Sequence, residues 1–335
     1  LQGDVGSGKT IVALTTILNV INSKFQAAFM APTEILAQQH YNLAKKLLPD
    51  NIKIDILTSK TENKIRKKII NDLENHQIDL LIGTHSLFQN KINYKKLGLI
   101  IIDEQHKFGV KQRKKLSDKG GKNCDILVMS ATPIPRTMIM TVYGDMDVSL
   151  IKNKPKNRQE IKTYSKIESK TSDVIKFVKT QLNNDNQVFW VCPLIEESKK
   201  IDHSSAVEKS KYLEKLFPNQ VYLLHGKTTI EEKEKILNRF LRNDFKILVS
   251  TTIIEVGIDF PNANVIIIEN ANKFGLSQLH QLRGRVGRGS KTSTCILMFK
   301  SNLSNNAKKR INILKDSNDG FKISEEDMKL RGFGD

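Results

Sequence analysis

The chain is short of cysteine, of long apolar runs and of acid. Its three cysteines, Cys124, Cys192 and Cys295, are scattered through 335 residues, and none forms a Cys-x-x-Cys pair. A disulfide framework and the usual zinc motifs are thereby excluded, and isolated thiols fit a reducing, cytoplasmic setting. No run of about 18 apolar residues occurs, so no membrane-spanning helix is expected. The chain opens inside a motif rather than at an initiator Met, so the lack of a leader decides nothing. Asp and Glu number 36 against 54 Lys and Arg, a net charge of +18. That surplus suits a polyanion such as nucleic acid. A Lys-, Asn- and Ile-rich composition produces the same surplus without any function. The arginines discriminate better: there are eleven, and three crowd into six residues at Arg283, Arg285 and Arg288.

What is present begins at once. Residues 1–10 read LQGDVGSGKT, with Gly3, Asp4, Val5, Gly6, Ser7, Gly8, Lys9 and Thr10 matching the G-x-x-x-x-G-K-[ST] phosphate loop. Glycines let the backbone N–H groups turn inward around phosphates. Lys9 is placed to reach the β- and γ-phosphates, and the Thr10 hydroxyl to hold Mg²⁺. An apolar helix follows from Ile11 and adds its positive N-terminal end. Such a loop follows a strand, and here the chain starts where that strand should finish. The stretch therefore reads as a fragment cut at its own site.

Downstream, short β-branched runs alternate with helical patterns. Strands are expected at 27–31, 52–58, 78–84, 97–103 and 126–131, with helices such as 34–48 and 64–74 between them. This is the rhythm of an α/β doubly wound parallel sheet, whose ligands sit beyond the carboxyl ends of the strands. Every motif falls at such an end. Pro32 and Thr33 follow one strand, Thr84 and His85 another. Both pairs offer hydroxyls and N–H groups to a nucleic-acid backbone, and a plain capped helix start explains either equally well. After the apolar run of Leu99, Ile100, Ile101 and Ile102 come Asp103 and Glu104. Two carboxylates at the tip of an apolar strand are costly unless a cation meets them. Asp103 is expected to hold Mg²⁺ beside Thr10, and Glu104 to polarise or deprotonate the attacking water. Gln105 and His106 would lie at the γ-phosphate edge. Ser130 and Thr132, at the next strand end, are placed to hydrogen-bond the acids or the phosphate; a Pro turn is the plainer alternative.

Near 147–160 the alternation breaks into a polar, basic stretch with Pro155, a linker pattern. It resumes with strands expected at 161–165, 188–193, 221–225, 246–251, 265–269 and 294–299. The expected domains are 1–150, 151–300 and a helical segment at 301–335. The second domain has no phosphate loop. It carries Thr251 to Asp259 at a strand end, where Gly257 permits close backbone approach and Asp259 binds a ribose hydroxyl or orients an arginine. It also carries Gln281 to Gly289, whose Arg285 and Arg288 fit arginine fingers or a basic loop on nucleic-acid phosphates.

Taken together, these residues resemble a superfamily 2 helicase. Loop I lies at Gly3–Thr10, box II at Asp103–His106, box III at Ser130–Thr132, box V near Thr251–Asp259 and box VI at Gln281–Arg288. DEQHKFGVKQR (103–113), SATPIPRT (130–137), VCPLIEES (191–198) and FGLSQLHQLRGRVGRG (274–289) are similar to the bacterial branch-migration helicases. The resemblance implies two tandem RecA-like domains and a C-terminal helical hairpin. It implies ATP and Mg²⁺ as cofactors, with Gln281, Arg285 and Arg288 in the catalytic set. It implies translocation on double-stranded and branched DNA, by a monomer, with Arg310 and Arg331 coupling hydrolysis to movement. A wedge domain, an adenine-recognition segment and the end of the hairpin are expected to lie beyond this stretch. Transcription–repair coupling translocases share the lobes, but Gln105 and the VCPLIEES run argue against them. A DNA-binding module without chemistry is opposed by Lys9, Asp103, Glu104 and the two arginines.

Overall fold

A computed structural model describes residues 1–89, 91–104, 124–130, 147–153, 160–193, 199–226, 228–251, 260–289 and 291–331, without the side chains at 88, 199–205, 230 and 331. The chain divides into two units. The first takes Leu1–Gly3, Ser7–Ala131 and Asp145–Asn153; the second takes Asp4–Gly6, Thr132–Gly144 and Lys154–Asp335.

In the first unit, β1 (Gln2–Gly3) leads through the glycine loop into α1 (Lys9–Asn22). Then follow β2 (Gln26–Met30), α2 (Glu34–Leu47), β3 (Ile54–Leu57), α3 (Asn63–Glu74), β4 (Leu80–Gly83), β5 (Leu97–Ile102), β6 (Asp125–Val128) and β7 (Leu150–Ile151). The main sheet has the order β3-β4-β2-β5-β6, and its pairings are parallel. β1 pairs in parallel with β7, and Gln2 bridges to Ser130 just past β6. The loop therefore does follow a strand, the two-residue β1.

Period-two alternation sorts the strand residues onto two covered faces. Ala27, Phe29, Leu80, Ile82, Leu99 and Ile101 pack with Ala13, Leu14 and Ile17 of α1 and Leu36, Ala37 and Ala44 of α2. Ala28, Met30, Leu81, Ile100 and Ile102 pack instead with Ile69 and Leu73 of α3. Burial on both sides explains why β5 reads as a nearly unbroken apolar run. Thr33 starts α2 by accepting the Leu36 N–H at 3.3 Å, with Glu34 in the first turn and Lys45 and Lys46 in the last.

The second unit runs β8 (Ile161–Ile167), α4 (Thr171–Asn183), β9 (Gln187–Val191), α5 (Lys199–Leu216), β10 (Val221–Leu224) and α6 (Ile230–Leu241). It continues through β11 (Ile247–Ser250), β12 (Ala263–Ile268), α7 (Leu276–Arg283), β13 (Ser293–Phe299), α8 (Asn305–Asp316) and α9 (Gly320–Arg331). Its sheet has the order β10-β11-β9-β12-β13-β8, again with parallel pairings. α8 and α9 pack on each other and on α7. A capping box at Thr229 and Glu232 fixes the start of α6. Every expected strand is present, with ends shifted by up to three residues.

One device occurs in both units. Gln26, at the start of β2, donates from Nε2 to the Leu73 and Ile78 carbonyls at 2.9 and 2.8 Å. Gln187, at the start of β9, donates from Nε2 to the Phe240 and Phe245 carbonyls. Both glutamines are buried, and each ties the end of a helix to the start of the neighbouring strand. Replacing either by Ala takes a donor from two carbonyls, of which Leu73 and Phe240 keep the His76 and Asn243 N–H bonds while Ile78 and Phe245 lose the glutamine, at about 1–3 kcal/mol for a buried carbonyl left unpaired. Gln26→Ala is expected to destabilise the first unit by about 1–3 kcal/mol and Gln187→Ala the second. Urea unfolding followed by a probe in each unit checks this; a loss below about 1 kcal/mol would contradict it.

Candidate active site

Between the end of β1 at Gly3 and the first residue of α1 at Lys9 the chain makes one tight turn. Gly6 and Gly8 take φ of 73° and 97°, in the left-handed region that side chains resist. A Cβ on Gly3 would strike the Ser7 hydroxyl. Ser7 Oγ is itself buried with no hydrogen-bond partner. Lys9 is buried, and its Nζ donates to the Gly3 carbonyl at 2.8 Å. Thr10 stands next to it in the first turn of α1. An unsatisfied buried hydroxyl, a buried ammonium and helix N-terminal amides on one turn suit an anion with several oxygens. Among the residues grouped with the second unit, Asp4 Oδ1 takes the Val5 N–H at 2.7 Å and lies 2.8 Å from His280 Nε2. Val5 is buried.

The acids stand at the end of β5. Asp103 N–H extends the ladder by one bond, to the Met30 carbonyl at 3.0 Å. The chain then turns at Glu104 with φ 51°, a left-handed conformation uncommon for a residue with a side chain. Asp103 and Glu104 are 8% and 4% exposed, so burial has to be offset by donors or a cation. Asp103 Oδ1 accepts the Glu104 N–H at 3.0 Å, and Oδ2 lies 3.0 Å from His40 Nε2. His40 stacks on Phe29 with centroids 4.5 Å apart.

Sequence reasoning missed His40. The signal was its place on α2, a polar ring within the buried stripe of Leu36, Ala37 and Ala44. Ser130 is buried beside the loop: its N–H donates to the Leu1 carbonyl at 3.2 Å, and its carbonyl accepts from Gly3 at 3.4 Å. Loop, acids and Ser130 thus share one edge of the first unit. Among the described residues no group of three or more His, Cys, Asp or Glu could hold a metal by itself. Mg²⁺ suits such a site, because it takes one or two protein ligands and completes its shell with phosphate and water. Thr10 carries a hydroxyl in the first turn of α1 and Asp103 a buried carboxylate after β5, the donor types such an ion takes.

The residues expected at nucleic acid also stand at strand ends. Pro32 and Thr33 follow β2, and the Thr33 hydroxyl is engaged in capping α2. Thr84 and His85 follow β4; Thr84 Oγ1 lies 3.2 Å from Ser86 Oγ, and His85 is exposed. Thr251 follows β11, buried, with its N–H on the Leu224 carbonyl at 3.2 Å. Gln105, His106, Thr132, Gly257 and Asp259 lie outside the described residues, as does the side chain of Arg331.

In the second unit the three crowded arginines differ. Arg283, 2% exposed, gives NH1 to the Leu314 and Ser317 carbonyls at 2.5 and 2.9 Å, and NH2 lies 3.1 Å from His280 Nδ1. It closes the C-terminal end of α8. Arg285 is buried, and Arg288 is half-buried with Nε 3.4 Å from the Gly284 carbonyl. Gln281 is buried on α7. Arg310, on α8, donates to the Phe274 and Asn272 carbonyls at 2.8 and 3.0 Å, tying the hairpin to the segment that leads into α7. Burial, with Asp125 adding, pushes the Cys124 thiol up to about 11, and burial pushes Cys295 to about 12. Cys192 is raised too, by burial first and then by Glu269.

Residues 1–141 match the DEAD/DEAH box helicase family, and residues 169–290 match the helicase conserved C-terminal domain. Over its whole length the chain is 49% identical to the ATP-dependent DNA helicase RecG of Aquifex aeolicus and 47% identical to that of Bacillus subtilis. It covers 43% and 49% of those two proteins, so it spans about half the length of the curated relatives it matches. A solved structure of RecG bound to a three-way DNA junction superposes with a TM-score of 0.87 at 45% identity, covering all of this chain and 44% of that one. No helix among the described residues is long and apolar enough to cross a membrane. With both helicase segments in order and full-length likeness to proteins of one name, the chain belongs to the RecG family of helicases.

Proposed function

We propose that this chain is the ATP-hydrolysing motor segment of a helicase that translocates on double-stranded DNA and remodels branched DNA such as stalled forks and Holliday junctions. The observation that carries the reading is the shared edge of the first unit. It unites a glycine-shaped anion loop, the buried Lys9 and the adjacent buried carboxylates of Asp103 and Glu104. Bound ATP and Mg²⁺ supply a phosphoanhydride and a charge that polarises its terminal phosphate.

The chain's own residues do the rest. The loop amides and Lys9 bind phosphate oxygens, and Thr10 with Asp103 orients the cation. Glu104 takes the proton of the attacking water. Gln281, Arg285 and Arg288 steady the charge that develops, and Gly257 and Asp259 contact the nucleotide. Gln105, His106, Ser130 and Thr132 report the state of the phosphate, while Arg310 and Arg331 turn that report into movement. Pro32, Thr33, Thr84, His85 and Thr251 meet the DNA backbone. The protein acts as a monomer in the cytoplasm.

The test uses the intact protein. Branched DNA is expected to raise ATP turnover well above its level without DNA. Glu104→Gln keeps the shape and removes the base, so turnover should fall about 10²–10⁴-fold while nucleotide and DNA binding persist. ATP turnover indifferent to every DNA offered, or unchanged in Glu104→Gln, would overturn the reading.

A further inference from the structure

His40 has no part in the phosphate-loop or acid-pair motifs, yet it touches the carboxylate on which the cation site depends. It lies on the buried stripe of α2, among Leu36, Ala37 and Ala44, where a side chain facing the sheet is normally apolar. Phe29, the last but one residue of β2, stacks on the imidazole at an interplanar angle of 24° and fixes the plane of the ring. The ring nitrogen Nε2 then meets Oδ2 of Asp103 at 3.0 Å, with both side chains buried. An ionised carboxylate only accepts, so Nε2 carries the hydrogen. The other oxygen, Oδ1, is held by the Glu104 N–H at 3.0 Å. Each oxygen of Asp103 therefore has one fixed donor. Two donors set both the rotation and the plane of a carboxylate, and each oxygen keeps a further lone pair to offer outward.

We propose that His40 is a positioning residue for the divalent-cation site, holding Asp103 in the orientation in which it presents an oxygen to the metal. The inference rests on the reading of Asp103 as the metal-facing carboxylate. Donors behind a metal ligand set its orientation, and their removal typically costs 10- to 100-fold in metal affinity. His40 acts through Asp103 and touches neither nucleotide nor metal. A histidine that merely fills the core would leave metal affinity alone.

The experiment measures the metal-dependent gain in nucleotide affinity in the intact protein. A fluorescent ADP is titrated with Mg²⁺ and again in EDTA, and Mn²⁺ binding to the ADP complex is followed by electron paramagnetic resonance. In His40→Leu the gain from Mg²⁺ and the Mn²⁺ affinity should fall about 10- to 100-fold, with affinity in EDTA unchanged. His40→Gln, whose amide reaches close to the Nε2 position, should restore both to within about threefold of wild type. His40→Asn, whose amide falls short, should not restore them. If His40→Leu does not fold, the contrast between Gln and Asn decides the matter alone.

Asp103→Asn separates the two readings. If it abolishes the gain and His40→Leu keeps it, His40 is a core histidine and the proposal fails while the site stands. If Asp103→Asn keeps the gain, the site assignment fails and takes the proposal with it. Equal losses with and without metal in His40→Leu, or equal losses in the Gln and Asn variants, would also refute it, because the donor would then not be what matters.

Discussion

Replacing Lys9 by Ala is expected to reduce ATP turnover by at least 10²–10³-fold, the scale of losing one preorganised charge stabiliser. The reason is the setting of the ammonium. Lys9 is 9% exposed at the first position of α1, directly after the left-handed Gly8. Its Nζ is 2.8 Å from the carbonyl of Gly3, the residue that opens the loop. A charge so placed, away from bulk water, acts on phosphate oxygens far more strongly than an exposed lysine. Few side chains can replace it, because the loop is shaped by Gly6 and Gly8 around that one reach. Steady-state ATPase measurements on the intact protein, with the melting temperature followed in parallel, check the expectation. Turnover within about threefold of wild type would remove the phosphate-loop assignment.

The second large effect concerns stability. Arg283→Ala is expected to destabilise the second unit by about 3–5 kcal/mol, the range for removing one member of a buried polar network. The NH1 group of Arg283 serves the Leu314 and Ser317 carbonyls, and NH2 faces His280 Nδ1. Its loss strands carbonyls at the end of α8 and opens a cavity under the hairpin. Burial lowers the pKa of this guanidinium, opposed by Cys295 and Asp4, which marks how far the charge has been taken from water. The melting temperature of the second unit should drop by about 10 °C. Arg283→Lys should recover only part, since one ammonium cannot reproduce the planar fork. Arg288→Ala, at a half-buried position, should leave the melting temperature within about 2 °C. A drop below about 2 °C for Arg283→Ala would show that the carbonyls find other donors.

The contrast between these arginines shows where the sequence stops being legible. In one dimension Arg283, Arg285 and Arg288 form a single basic cluster. In the fold Arg283 is a helix-end clamp, Arg285 is buried and Arg288 keeps partial exposure. Spacing alone could not separate them, because the carbonyls that hold Arg283 belong to Leu314 and Ser317, more than thirty residues downstream. Thr33 shows the same limit on a smaller scale. The sequence left it as a helix cap or a DNA contact, and the structure engages its hydroxyl in capping without deciding against the other role.

What the amino-acid order by itself determined was the α/β alternation, the glycine-rich turn into α1, the acid pair at the end of β5 and the family resemblance. These are local: a strand's apolar run, a glycine's freedom and a carboxylate at a strand tip are properties of a few neighbouring residues. Only the tertiary structure decided that His40 backs Asp103, that Gln26 and Gln187 are matching ties in the two units, and that Arg310 holds the segment entering α7. Each of these joins residues 36 to 63 positions apart, or repeats one tie in two separate sheets. A polar side chain's partner across such a distance is set by strand order and helix placement, and no local pattern encodes it.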